Sequence, residues 1–248
     1  SLATILNNQH DRAAAASAVE RGRAALAAAG RRPGAADVTG RLYVQEFFSR
    51  IDKSVADQQQ VAERGAAFAR ANLPAASPIR LQLLANLARA LEVGEDFRAT
   101  LAVREEVATA LARTDRVWDS DRYWHALNLA RALRLNERLD DAAAALEEAA
   151  RIHARAFGAT AGSAAVALGI ERTELAAWRG DLARLSTASH AAAPLPRTWL
   201  LLRMQIAQLQ GDPTAAARLR ADALAACTDD FQRRQVERTF ARFAPAPR

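Results

Sequence analysis

The sequence predicts an all-α fold, an array of helical hairpins, and three observations point to it. Alanine supplies 63 of the 248 residues, about half of the chain's hydrophobic positions. It is the best helix former and lets backbones approach closely, so thin helical layers suit this composition. Valine, isoleucine, threonine and tyrosine are scarce, which argues against a β-rich fold. The third observation is internal repetition. The string Asn86-Leu87-Ala88-Arg89-Ala90-Leu91 recurs unchanged as Asn128-Leu129-Ala130-Arg131-Ala132-Leu133, 42 residues further on. Val55, Phe97 and Leu139 form one series at that spacing, and Val61 and Val103 another. Agreement at the flanking positions makes chance an inadequate account of the identity.

Residues 11–29 read as the second helix of a truncated or atypical first unit, and residues 1–39 as that helix with a linker. Residues 41–51 and 57–73 form a pair of helices closed by Pro74 and Pro78. The next hairpin carries the first copy of the repeated string and breaks at Val93-Gly94-Glu95, with Gly94 placed as the helix terminator. Its successor sets Leu127, Ala130 and Leu133 at helical spacing and breaks at Asn136-Glu137-Arg138. Leu139, Ala142, Leu146 and Ala149 then resume at steps of three and four. Asp140 and Asp141 stand in the first turn of that second helix, where carboxylates suit the macrodipole. Gly180-Asp181 and Gly211-Asp212-Pro213 are turn-and-restart signals 31 residues apart, with Pro194 and Pro196 between them. Repeats thus occupy residues 40–226. Residues 227–248 form a final helix and tail, with Phe231, Val236, Phe240 and Phe243 on roughly one face. That face is expected to cap the array, leaving Arg233, Arg234, Arg238 and Arg242 in water.

Charge and chemistry narrow the functional classes. The net charge is +6, and all but one of the 34 basic residues are arginine, Lys53 being the exception. Both signs are interspersed, as on solvated helix faces. From residue 194 onward nine arginines face five acids, a mild bias. No stacking aromatics interleave with those arginines, so nucleic acid is disfavoured as a partner. Cys227 is the only cysteine, which excludes an internal disulfide and a cysteine-based zinc site. A lone thiol fits a reducing compartment and equally a cysteine-poor periplasmic domain, so the compartment stays open. No run approaches the length of a membrane span. The chain begins with serine rather than methionine, and the expectation is a piece of a larger protein.

No phosphate loop, zinc-protease helix or nucleophile elbow occurs, and no cofactor is expected. His10, His125, His153 and His190 lack ligand spacing. Glu105-Glu106 and Glu147-Glu148 are adjacent pairs, about 100° apart on a helix, and read as solvated faces. Cys227 reads as a small packing residue. The chain is expected not to be an enzyme.

The second repeat resembles the tetratricopeptide repeat family. Leu129 and Ala130 stand where that family places its large-small pair in the first helix. Leu139, Ala142, Leu146 and Ala149 match the series of its second helix. In the preceding unit Leu87, Ala88, Gly94 and Phe97 match, but Thr100 replaces an alanine and Arg104 a hydrophobe. The 42-residue period is similar to the long-loop variety seen in kinesin light chain and many bacterial proteins, and Leu127-Asn128-Leu129-Ala130 resembles its first helix. The resemblance implies a right-handed α-solenoid in which first helices line a concave groove. It also implies a non-catalytic scaffold for a protein or peptide. Bacterial arrays of this look often serve as the sensing or docking region of a serine/threonine kinase or a winged-helix transcription regulator.

Within such a groove the residues of interest repeat. Asn86 and Arg89 lie three apart on one helix face, and Asn128 and Arg131 repeat the arrangement next door. Asparagines can pair with the backbone of an extended peptide, and arginine forks with its carboxylates, so an acidic partner suits them. Trp124, Leu135 and Val93 offer apolar contact beside them, whereas Trp118, Trp178 and Trp199 read as packing between repeats. One rival reading is a structural array, dimerising through the C-terminal helix. Another is a nucleic-acid-facing surface on the basic tail. A compact globule of this length would have a radius of gyration of about 18 Å. Small-angle scattering should give a larger value, and one at or below it would sink the solenoid expectation.

Overall fold

The computed structural model describes residues 2–29, 33–115, 117–158, 162–181 and 196–243. Among the described residues there are twelve helices and no strand: α1 (Leu2–Asn8), α2 (Arg12–Ala29), α3 (Ala35–Ser49), α4 (Val55–Asn72), α5 (Pro78–Val93), α6 (Phe97–Leu111), α7 (Asp119–Leu135), α8 (Leu139–Phe157), α9 (Ser163–Trp178), α10 (Pro196–Leu209), α11 (Pro213–Ala225) and α12 (Asp230–Arg242). The chain divides into two compact units, residues 1–132 and 133–248, with the division inside α7. Helix α1 and the early start of α3 were not expected. The expected boundary at residues 39 and 40 falls within α3, which packs on both α1 and α2.

The 42-residue period is a period of helix starts. Val55, Phe97 and Leu139 are the first residues of α4, α6 and α8. The turns before α6 and α8 share one geometry, whereas α4 follows Ser54, whose side chain accepts from the Asp57 N–H. In four turns between described helices the first helix ends on a residue with left-handed backbone, His10, Glu95, Glu137 and Gly211, and α9 ends the same way at Gly180. The next residue's N–H reaches back to a carbonyl five positions earlier, as Asp96 does to Leu91 and Arg138 to Leu133. This is the Schellman closure of a helix C-terminus. In three of these turns that next residue is an aspartate that also caps the following helix. Asp11, Asp96 and Asp212 accept from the N–H of Ala14, Ala99 and Ala215 at 2.9–3.0 Å. Arg138 offers no side-chain cap and instead pairs with Asp141 at 2.7 Å. Gly94 is the C-cap of α5, but its φ of −76° is right-handed and the left-handed step falls on Glu95. The terminating role expected of the glycine is therefore shared with a glutamate.

In the N-terminal unit the core runs from Phe47 through Val61, Leu81, Leu84 and Leu87 to Val103 and Val107. Helices meet over small residues, with Ala15, Ala66, Ala69, Ala88 and Ala90 fully enclosed. At Gly40 of α3 an added Cβ would lie 2.6 Å from Ile79, so that crossing has no room for a side chain. Arg23 and Arg64 both donate to the buried carboxylate of Glu46, tying α2, α3 and α4 together. Glu106, expected on a solvated face, accepts from Arg70 at 2.6 Å and Arg80 at 3.4 Å. Those bonds, Arg70's first, hold its carboxyl below the ordinary glutamate range despite partial burial.

In the C-terminal unit a core of Leu201, Met204, Ala216, Leu219, Cys227 and Val236 joins α10, α11 and α12. Phe240 packs on that core, and Phe243 on Ala176 and Ala177. Cys227 is buried there, as a packing residue. Arg134 is buried and pairs with Glu171 at 3.1 Å and Glu174 at 3.6 Å. Arg242, expected in water, lies 3.6 Å from the centre of the Trp178 ring and 2.6 Å from a Glu137 oxygen. An arginine stem can cover an aromatic face while its head keeps a carboxylate partner, which is why the expectation failed. Trp118 is a second correction: it is 80% exposed and packs between no repeats. Pro194 lies outside the described residues, as does the side chain of Trp199.

Left-handed backbone strains a residue with a Cβ, and glycine relieves that strain while losing more freedom on folding. Glu95→Gly should therefore stabilise the fold by about 0.5–1 kcal/mol in urea melts. Glu95→Val, β-branched at the same site, should destabilise it. The opposite order would remove the turn account.

Candidate functional site

Helices α5, α6 and α7 of the N-terminal unit bring together most of the residues singled out from the repeated string. Asn86 is buried rather than free for a ligand: its Oδ1 accepts from Gln82 at 3.1 Å. Its Nδ2 is enclosed without a hydrogen-bond partner among the described residues. Arg89 is exposed. Asn128 is half-buried and donates to the Trp124 carbonyl at 2.7 Å. Arg131 is half-buried, with one nitrogen 3.8 Å from Glu92. Trp124 is partly exposed, at 39%. Leu135 is half-buried in the last turn of α7, within the residues of the C-terminal unit.

The structure adds two residues to this set. Between α5, α6 and α7 lies a hollow of about 270 Å³. Pro78, Leu81, Ala85 and Val117 give it apolar walls. Gln82, Arg104, His125 and Asn128 supply its polar lining, with Trp124 and the exposed Asp121 beside them. Arg104 and His125 had no assigned role in the sequence.

Arg104 sits on the buried stripe of α6, together with Thr100, Val103 and Val107. Thr100 is accommodated there because its hydroxyl donates to the Asp96 carbonyl at 2.8 Å. Arg104 has no such arrangement. It is 5% exposed, and its Nε has no hydrogen-bond partner among the described residues. Burial lowers its pKa to about 10, with Arg131 and Arg89 adding to the effect and Glu92 opposing it. The guanidinium thus stays cationic at neutral pH although its surroundings disfavour the charge. His125 is pushed down to about 4, first by burial and then by the neighbouring Arg104 charge. Its imidazole is therefore neutral at neutral pH, with one nitrogen free to donate and the other to accept.

The charges of Arg89 and Arg131 both act on Arg104, and Glu92 opposes them there. A second hollow of about 290 Å³ in the same unit offers a contrast. Its Arg80 is already engaged by the Leu73 carbonyl at 3.1 Å and by Glu106. Among the described residues no group of three or more histidine, cysteine or acidic side chains could hold a metal ion. No described helix is long and apolar enough to cross a membrane.

No family model and no curated protein sequence matches the chain. Solved structures do. The chain is similar to a putative kinesin light chain of Podosopora anserina with nearly identical TPR-like repeats, at 20% identity and a TM-score of 0.50, covering 80% of this chain and 91% of that one. A singly substituted form of that protein gives 19% identity and a TM-score of 0.51 over 80% of this chain and 93% of the other. BtubC (BKLC) from P. vanneervenii gives 14% identity and a TM-score of 0.60 over 96% of this chain and 94% of its own. The fold is accordingly an all-α tetratricopeptide-like array of helical hairpins.

A buried guanidinium whose Nε–H has no hydrogen-bond partner among the described residues is a cost that a hydrophobe of similar length would remove. Arg104→Met should raise stability by about 1–3 kcal/mol in denaturant melts without ligand. A loss of stability would show that the guanidinium is part of the packing.

Proposed function

We propose that the chain is a non-catalytic scaffold for a protein or peptide, binding an extended acidic segment along the face of its N-terminal unit that carries Asn128, Arg89 and Arg131. The observation that supports this reading is that the charges of Arg89 and Arg131 both act on the buried Arg104, against Glu92. Clustered like charges cost stability in the free protein, and a ligand bearing carboxylates offsets that cost. Asn128 and Trp124 supply an amide and an apolar ring to the same face. Asn86 acts from beneath by holding Gln82. Leu135, among the residues of the C-terminal unit, is not part of this site.

The finer proposal is the sensing or docking region of a larger bacterial signalling protein, a kinase or a transcription regulator. Occupancy would then be passed on through small rearrangements of the hairpins. A dimerising role for the C-terminal helix is less favoured, because Phe240, Phe243 and Arg242 already pack within the chain.

The test is a peptide array graded in aspartate and glutamate content. The parent should select acidic peptides, and Asn128→Ala combined with Arg131→Ala should weaken them about tenfold or more. The melting curve should barely move, because the Arg131–Glu92 pair is partly exposed and worth about 0–1 kcal/mol. No acidic preference in the parent, or equal binding by the double variant, would place the ligand elsewhere.

A further inference from the structure

We propose that the hollow over Arg104 is a binding site for one carboxylate carried on an apolar stem, with the Arg104 guanidinium as its anchor. The inference deepens the groove reading and rests on it in taking this face of the N-terminal unit as the one a ligand meets. Its own observations are separate. Arg104 lines the hollow, is nine-tenths buried, and keeps an Nε–H without a partner among the described residues. A guanidinium presents a planar fork of donors, and a carboxylate is the anion whose geometry matches that fork with two parallel bonds.

Size and lining define the rest of the ligand. Drug-sized ligands occupy pockets of roughly 300–1,000 Å³. At about 270 Å³ this hollow suits the end of a molecule, an acid group on a short stem, rather than a whole cofactor. The stem would lie against Leu81, Val117 and the Trp124 ring. His125 is neutral and can donate to the second carboxylate oxygen, and Asn128 lines the same space. Arg89 and Arg131 raise the local potential for an anion, and Glu92 opposes them but is drawn towards Arg131. The exposed Asp121 disfavours an ion with a second negative charge, which sets inorganic phosphate apart from a monocarboxylate. The acid could belong to a side chain or C-terminus of the groove peptide, or to a free organic acid; the chemistry at Arg104 is shared.

The experiment is calorimetric titration of the protein with phenylacetate, phenylacetamide and inorganic phosphate. Phenylacetate should bind at millimolar or lower concentration, about tenfold or more tighter than its uncharged amide, and tighter than phosphate. Arg104→Met should abolish that preference while remaining folded. The His125 ring resonances should shift on adding phenylacetate to the parent and stay still in the variant. Equal binding of acid and amide, tighter binding of phosphate, or unchanged phenylacetate binding by Arg104→Met would each overturn the proposal.

Two further arms identify the source, and either result keeps the carboxylate site. A capped hexapeptide with one glutamate that displaces phenylacetate assigns the site to a peptide side chain, whereas displacement by uncapped acids alone assigns it to a chain end or small acid. The two readings fail separately. If Asn128→Ala with Arg131→Ala binds acidic peptides like the parent while phenylacetate still needs Arg104, the groove falls and the hollow stands. If Arg104→Met leaves phenylacetate binding intact while the double variant loses peptides, the hollow falls and the groove stands.

Discussion

The distance at which helices meet governs the rest of this molecule. Ala66, Ala69, Ala88 and Ala90 in one unit, and Ala149, Ala177 and Ala223 in the other, are fully enclosed at helix contacts. A methyl group removes little apolar surface from water, so each contact is individually weak. Its value lies in letting backbones close up and in stacking one hairpin on the next, since a single two-helix unit cannot bury its face alone. Large side chains are consequently confined to a narrow set of positions, and Leu81, Leu84, Leu87 and Leu91 fill most of them between α5 and its neighbours.

Arginine–glutamate pairs link one helix to another. Arg23 and Arg64 converge on Glu46, Arg70 and Arg80 on Glu106, and Arg134 on Glu171 and Glu174. Arg220 grips Glu237 through two nitrogens at 2.7–2.8 Å and also covers the Phe240 ring. Each uses a long apolar stem to span distance and a fork of donors at its end. Arg134 and Glu171 are both buried, so removing one would leave an uncompensated charge, and that pair acts as a constraint on arrangement more than as a source of stability. Arg104 has the same stem but is buried with its Nε–H lacking a hydrogen-bond partner among the described residues, which separates it from the structural arginines.

Repetition was the strongest signal in the sequence, because the hairpin joint is local. The step at Glu95 and Glu137 and the residue after it fix where a helix ends and the next begins, so a 42-residue echo locates α6 and α8 without tertiary information. Side-chain fate was less legible. Asn86 and Asn128 occupy equivalent places in identical strings, yet one is enclosed and the other half-exposed, because their neighbours differ. Arg242 and Trp178 are 64 positions apart in sequence, and no local pattern could bring them together. Arg104 left a trace, as a charge on an otherwise apolar helical stripe. That departure from the repeat pattern marked the place, though not the hollow beside it, which is made by Pro78, Val117 and Trp124 from two other segments.

The joints also bear on how a gene for such a chain can grow. Since α6 and α8 begin at Phe97 and Leu139, each after a left-handed glutamate, a cut at either residue falls at the same point of the same motif. Copying the DNA between two such points would insert a complete unit whose ends already match the flanking turns. Unequal recombination could therefore lengthen or shorten the array by whole hairpins without requiring a new linker. Divergence afterwards would be free on the exposed faces and restrained at the enclosed alanines. That difference in tolerance is a route by which one copy can acquire a residue such as Arg104 while its neighbour keeps an apolar side chain in register.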